Sequence, residues 1–322
     1  MNGTTLFGSP MLREIEIADF RGISQLRLSF LGPDNQPGRI AVIGGPNGSG
    51  KTSALEACLI ATGNTELIRG ASGPKAIRQG AHDYTIKASF QSAGGTKQVE
   101  YHSTPKVNPF KVKCDYFSSW RAPKLIGAVP VTAGKKGKRP AVTEENRLWT
   151  IKQLLVNAKA YVSMSPQPMI LSEYDEVIDK VNEIWEMFYP GQKQTFSVEP
   201  AGDDPDAGFD VFLNIGDKQR VPLDALSSGQ IELFLLAGSA LPRREKESIL
   251  CIDEPELHLD PQWHRLILRA MMKLRPTCQF IVGTHSPEIY DSVMSYERHF
   301  LVSEDDPRAY TWGQVRSGGD QA

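Results

Sequence analysis

Residues Gly45-Pro46-Asn47-Gly48-Ser49-Gly50-Lys51-Thr52 have the spacing G-x-x-x-x-G-K-[ST], which lets a backbone surround a phosphate. Gly45, Gly48 and Gly50 permit the turns that aim several amide N–H groups at one anion, and a following helix adds its positive dipole end. Lys51 would reach the β- and γ-phosphates of a nucleotide, and Thr52 would offer its hydroxyl to Mg²⁺. The candidate phosphate-contacting group is therefore Gly45, Asn47, Gly48, Ser49, Gly50, Lys51, Thr52 and Ser53.

Three further stretches supply the chemistry that a phosphate loop alone lacks. Ser227-Ser228-Gly229-Gln230 precedes an apolar run from Ile231 to Leu241, which makes it a second helix N-terminus suited to a phosphate. Ser248 to Ile252 reads as a buried strand ending in Asp253 and Glu254, at the strand edge where open α/β sheets bind ligands. Asp253 is placed to hold the hydration shell of Mg²⁺, and Glu254 to polarise an attacking water as general base. Cys278 to Gly283 reads as another buried strand, capped by Thr284-His285-Ser286-Pro287, so His285 falls on the same edge and suits a γ-phosphate sensor. His258 and His264 lack the H-E-x-x-H spacing of a zinc site, so the metal expected here is Mg²⁺ carried by the nucleotide.

These residues need strands and helices to position them. The apolar run Ile40 to Ile43 before the loop, and the helix-compatible run Ser53 to Ala61 after it, give the strand, loop and helix context the motif requires. Two alternating stretches, Met11 to Ile17 and Leu26 to Phe30, precede that strand across a break at Asp19 to Ile23. Tyr84 to Phe90 and Thr96 to His102 read as a hairpin, and Phe110 to Phe117 adds a strand to this antiparallel patch. Helical spacing is predicted from Thr143 to about Ala160 and from Ser172 to about Phe188, without sustained heptads. Pro200 to Gly208 is an acidic loop, and Arg298 to Ser303 with Arg308 to Trp312 reads as a last hairpin. The fold expected is α/β: a mixed core sheet, an antiparallel β patch and an inserted helical subdomain. Its divisions are 1–133 with the phosphate loop, 134–200 with a basic loop and helices, and 201–322 with the remaining motifs.

Composition narrows the class without naming a partner. The chain has 322 residues, 40% of them hydrophobic, and 36 basic against 38 acidic residues, so any basic face is local. One such face is Lys135, Lys136, Lys138 and Arg139, in a Gly- and Pro-containing stretch that could contact DNA phosphates. The 4 cysteines, Cys58, Cys114, Cys251 and Cys278, form no C-x-x-C pair and are expected as buried thiols in a reducing cytoplasm. No stretch has the apolar length of a membrane span, and Met1 to Pro10 lacks a signal-peptide layout, so a soluble cytoplasmic protein is expected.

The motif order, with Glu254-Pro255-Glu256-Leu257-His258-Leu259-Asp260-Pro261 and the opening Ile17-Ala18-Asp19-Phe20-Arg21-Gly22-Ile23, resembles the ABC-type ATPase heads of the RecF, SMC and OLD-like branch. That resemblance covers nearly the whole chain and implies Mg-dependent binding and hydrolysis of ATP in a head-to-tail dimer. It also implies that Ser228 and Gly229 contact the γ-phosphate of a nucleotide on the other subunit, and that Asp260 lies in a loop crossing the dimer interface. It further suggests a separately encoded effector such as a nuclease, with DNA a candidate partner and no membrane involved. Such heads carry a glutamine in the region matched here by Tyr116 to Pro123, which has none, and neither a long coiled coil nor an appended nuclease domain is recognised. Two alternatives stay open: the ATP-binding subunit of a membrane transporter, and a nucleotide-gated binding module with little turnover.

Overall fold

The computed structural model describes residues 9–68, 73–104, 110–121, 124–132, 146–164, 168–203, 207–217, 219–239 and 249–302. It divides into two compact units, one built from Met1–Ser119, Glu245–Glu256 and Thr277–Ala322, the other from Trp120–Arg244 and Leu257–Pro276. The basic stretch at Lys135 to Arg139, and the second arm of the expected C-terminal hairpin, lie outside the described residues.

The first unit contains β1 (Met11–Phe20), β2 (Ile23–Ser29), β3 (Ile40–Gly44), α1 (Lys51–Ala61), β4 (Thr85–Ser92), β5 (Gly95–His102) and β6 (Cys114–Phe117). The second contains α2 (Arg147–Met164), α3 (Pro168–Phe188), β7 (Gln194–Pro200), β8 (Phe209–Ile215), β9 (Gln219–Pro222), α4 (Ser228–Ser239) and α5 (His264–Leu274). The first unit is completed by β10 (Ile249–Asp253), β11 (Gln279–Thr284), α6 (Pro287–Tyr290) and β12 (Arg298–Phe300).

In the first unit β1 and β2 pair antiparallel and close at Arg21-Gly22, with Phe20 opposite Ile23. The sheet β2-β1-β4-β5 alternates as its sequence does, burying Leu12, Ile15, Ile17, Ile86, Ala88 and Phe90. The second sheet, β12-β3-β11-β10-β6, is parallel throughout. Its inner strands are buried along their whole length because both faces are covered. Helix α1 packs against β1, β4 and β5 on one side and β10 and β11 on the other, which explains why it is apolar nearly all round.

One buried side chain ties the two sheets. The register of β1 against β4 shifts between Leu12, which lies opposite Phe90, and Glu14. Gln279 of β11 holds the backbone of Leu12 at this irregularity: its Oε1 accepts from Leu12 N at 2.7 Å, and its Nε2 donates to Leu12 O at 2.8 Å and Gly38 O at 3.0 Å. A fully buried amide thus has its groups matched, as burial requires.

Two strands are placed differently from their sequence expectation. The Phe110 to Phe117 stretch forms only Cys114–Phe117, and it joins β10 in the parallel sheet instead of extending the antiparallel patch. Arg298–Phe300 pairs parallel to β3, and the second arm of the expected hairpin lies outside the described residues. In both cases the partner is remote in sequence, so local patterning could not specify it. The second unit also holds an unanticipated antiparallel sheet, β7-β8-β9, whose Phe196, Val198, Val211 and Leu213 are buried. Its α2 carries a fully buried Lys152 whose charge is met by Asp210 at 2.7 Å and Asp224 at 2.9 Å.

Candidate nucleotide site

Because the five-stranded sheet is parallel, the C-terminal ends of β3, β11, β10 and β6 share one edge. The phosphate loop follows β3, Thr284 and His285 close β11, Asp253 and Glu254 close β10, and Ser118 and Ser119 follow β6. The motifs separated by 200 residues in sequence meet directly: Thr52 Oγ1 donates to Asp253 Oδ2 at 2.7 Å. Glu254 Oε1 lies 3.6 Å from His285 Nδ1.

The loop itself is built to receive an anion. Gly50 caps α1 with a left-handed backbone at φ 96°, and no side chain caps the helix, so its first amides keep their capacity for a ligand. Lys51 is buried, and its Nζ donates to Gly45 O at 2.8 Å and Pro46 O at 2.9 Å. Ser49 Oγ is buried with no hydrogen-bond partner among the described residues, an orphan that a phosphate oxygen would satisfy. Asn47 and Gly48 are exposed, while Thr52 and Ser53 are half-buried. These residues fit a Mg·nucleotide on geometry and donor chemistry alike.

Electrostatics point the same way. Burial lowers the pKa of Lys51 against the opposing pull of Asp253, Glu254 and Glu256. Burial raises Asp253, with Glu254 adding to the rise, while hydrogen bonds from Thr52 and Ser119 and the Lys51 charge counter it. Each of these charges is costly alone in the pocket, and an added cation beside Asp253 or anion beside Lys51 relieves that cost. Ser119 was invisible to sequence reasoning, which sought a glutamine in this region. Its hydroxyl bonds Asp253.

Glu254 sits in a left-handed backbone conformation at φ 52°, with its amide donating to Gly283 O at 2.7 Å. This is strain held at the residue expected to act as base, and it turns the carboxylate away from continuing the strand. Next to it, Glu256 is buried and binds the loop carrying His285, a contact no motif announced.

Ser227-Ser228-Gly229-Gln230 belongs to the second unit. Ser227 Oγ accepts from Gln230 N at 3.4 Å, and Gln230 Oε1 accepts from Ser227 N at 3.0 Å, a reciprocal capping box at the start of α4. Gly229 is needed for space: a Cβ there would stand 2.5 Å from the carbonyl oxygen of His258, itself at φ 64°. Ser228 is exposed, and Asp260 caps the short turn after it by accepting from Gln262 N at 3.0 Å. A buried ion pair, Arg121 with Glu232, fixes α4 from its second turn.

The fold is similar to that of SMC ATPase heads, and its sheet edge carries the motif set of a phosphate-loop nucleotide site. Residues 14–155 match the family described as "AAA domain", and residues 165–291 match "AAA domain, putative AbiEii toxin, Type IV TA system". Over 97 residues, 30% of this chain and 19% of the relative, it is 40% identical to the Retron Vc95 probable ATPase of Vibrio cholerae serotype O1 biovar El Tor. Over 315 residues it is 20% identical to the Septu protein PtuA of Bacillus mycoides (strain KBAB4), covering 93% of this chain and 41% of that protein. The chain thus spans less than half the length of these relatives. Among solved structures, an Smc head bound to the C-terminal winged-helix domain of ScpA superposes with TM-score 0.56 at 13% identity, over 90% of this chain and 97% of that one. No helix among the described residues is long and apolar enough to cross a membrane.

Proposed function

We propose that this chain hydrolyses Mg·ATP in a site shared by two copies, and passes its nucleotide state to a separately encoded effector in a defence- or DNA-related process. The observation that carries the reading is the 2.7 Å hydrogen bond from Thr52 to Asp253, which joins the phosphate loop to the carboxylate strand end. In this reading the amides of the loop and Lys51 hold the β- and γ-phosphates, and Thr52, Asp253 and Ser119 surround the metal. A Mg²⁺ held by these residues would supply charge neutralisation to the phosphates. Glu254 orients and deprotonates the attacking water, and His285 contacts the γ-phosphate. Ser228, Gly229 and the loop at Asp260 of a second copy complete the site. The similarity to a retron ATPase and to a Septu protein supports the effector and defence assignment, and the similarity to SMC heads supports the dimer.

The shared site is tested by complementation. Lys51→Ala removes the charge on the β/γ-phosphates, and Ser228→Arg fills the space where the opposite nucleotide docks, so each variant alone is inactive. In a mixed dimer the intact loop of one chain meets the intact signature of the other. Subunit exchange should restore up to about a quarter of the unmutated ATPase activity, since about half the dimers are mixed and each regains one of two independent sites. No recovery despite demonstrated exchange would remove the independent shared-site reading.

A further inference from the structure

The strand end Asp253-Glu254-Pro255-Glu256 carries a third carboxylate that the hydrolysis scheme leaves without a task. Glu256 has a side chain 5% exposed, and its Oε1 is the meeting point of four donor groups. Thr284 Oγ1 donates to it at 2.7 Å, His285 N at 2.8 Å and Ser286 N at 3.2 Å, while His285 Nδ1 stands 3.3 Å away. The loop after β11 is thus gathered onto one oxygen from β10's end.

A clamp that only held a loop would not need a charge, because burying a carboxylate costs several kcal/mol of lost hydration. The charge matters for the ring. An ionised carboxylate accepts and never donates, so the imidazole nitrogen facing it is stable only if that nitrogen carries a proton. Nδ1 faces two such groups, Glu256 Oε1 at 3.3 Å and Glu254 Oε1 at 3.6 Å. A bare Nδ1 lone pair there would meet two negative oxygens. Of the two, Glu256 is the buried one, and it also fixes the backbone on which the ring is mounted.

We propose that Glu256 is the positioning residue of His285: it locks Thr284-His285-Ser286 in place and keeps the ring proton on Nδ1, so that Nε2 is the nitrogen presented to the nucleotide. The inference rests on the ATPase reading for its catalytic consequence but not for the state of the ring. It explains why the sequence places a glutamate two residues beyond the proposed base: a shorter or neutral side chain would lose the reach or the charge.

Two measurements test it, one of which needs no turnover. In nucleotide-free protein labelled with ¹⁵N-histidine, the His285 ring, assigned by its loss in His285→Gln, should show the Nδ1–H pattern in long-range ¹H–¹⁵N spectra. Glu256→Gln should move that pattern towards Nε2–H. An Nε2–H ring in the unmutated protein, or a ring state unaltered by Glu256→Gln, would overturn the proposal. In steady-state assays, Glu256→Gln and His285→Ala should each lower kcat by about 10-fold or more with KM for ATP within about twofold, and the double variant should be no worse than His285→Ala. Additive losses would show that Glu256 acts independently of the ring. Should Glu256→Gln not fold, Thr284→Val removes the shortest of the four contacts and enters the same cycle, with the same non-additivity expected. Failure of the unmutated protein to hydrolyse ATP would sink the ATPase reading, while the ring spectra would still decide the role of Glu256.

Discussion

Replacing Glu254 by glutamine separates its chemistry from its shape. Glutamine is isosteric, so it can keep the left-handed backbone at φ 52° and the amide bond to Gly283 O, both of which belong to the main chain. What is lost is the only property the base reading needs, a carboxylate able to accept a proton. General bases contribute about 10² to 10⁴ in rate. The structure argues for the lower part of that range. The Glu254 side chain is 25% exposed, so solvent can accept part of the proton, and the Glu256 carboxylate remains 3.3 Å from His285 Nδ1 in the variant. A loss of about 10² to 10³, or about 2.7 to 4.1 kcal/mol in barrier, is therefore expected. Single-turnover phosphate release should fall by that factor, while the affinity for ATP, read by a fluorescent analogue in competition, should stay within about twofold. Because hydrolysis no longer drains the bound state, light scattering with ATP should show an accumulated or tightened dimer. Phosphate release at the unmutated rate would refute the base role, and a collapse of ATP affinity would show instead that Glu254 is a binding group.

Ser119→Ala removes the hydroxyl that bonds Asp253, and the Mg²⁺ concentration for half-maximal turnover should rise by about 10-fold, in line with losses of groups that orient a metal ligand; an unchanged Mg²⁺ titration would discard Ser119 from the metal site. His299 of β12 is half-buried with its Nε2 shielded from solvent, set edge-on to Phe30, and desolvation lowers its pKa from 6.5 to about 4. Its folded pKa lies below the unfolded one, so the unfolded chain binds the extra proton, and the contribution is present above about 6.5 and lost as pH falls through about 4, by about 3 kcal/mol in full. Glu56 runs the other way: burial raises it from 4.5 to about 7 against the pull of Arg21, so its contribution is present below about 4.5 and lost as pH rises through about 7. Urea melts of His299→Phe at pH 7 and pH 4.5 should therefore show less loss on acidification than the unmutated protein; equal losses would place the acid sensitivity elsewhere.

The candidate site was legible where its residues are contiguous. A phosphate loop is a run of neighbouring residues, and Asp253-Glu254 announces itself because two carboxylates at the end of four apolar residues need a partner charge or the end of the strand. Pairing was less legible. Cys114 of β6 lies opposite Ile249, and Arg298 of β12 opposite Val42, so both strands find parallel partners far along the chain, whereas a local pattern can only propose the nearest antiparallel neighbour. The β7 and β8 pair was obscured by the Pro- and Asp-rich stretch at Pro200 to Gly208, which reads as a mobile loop although it joins two alternating strands.

The same letters can also carry two physical demands at once, and only the fold separates them. In Ser227-Ser228-Gly229-Gln230, the first and last residues cap α4 by their own side chains, and the glycine leaves room for the His258 carbonyl. Any helix beginning against that carbonyl would favour this pattern without a nucleotide. Ser228 is the member with no such internal demand among these contacts, and it is exposed. In the proposed reading the functional weight of the motif falls on Ser228 and on the helix N-terminus it occupies, while Ser227, Gly229 and Gln230 set the local shape. Glu256 obeys the same logic in the first unit. Its sequence neighbour Glu254 is read as chemistry from position alone, but Glu256 acquires meaning only because Asp253 pairs with Gly283 and brings the end of β10 beside Thr284 and His285.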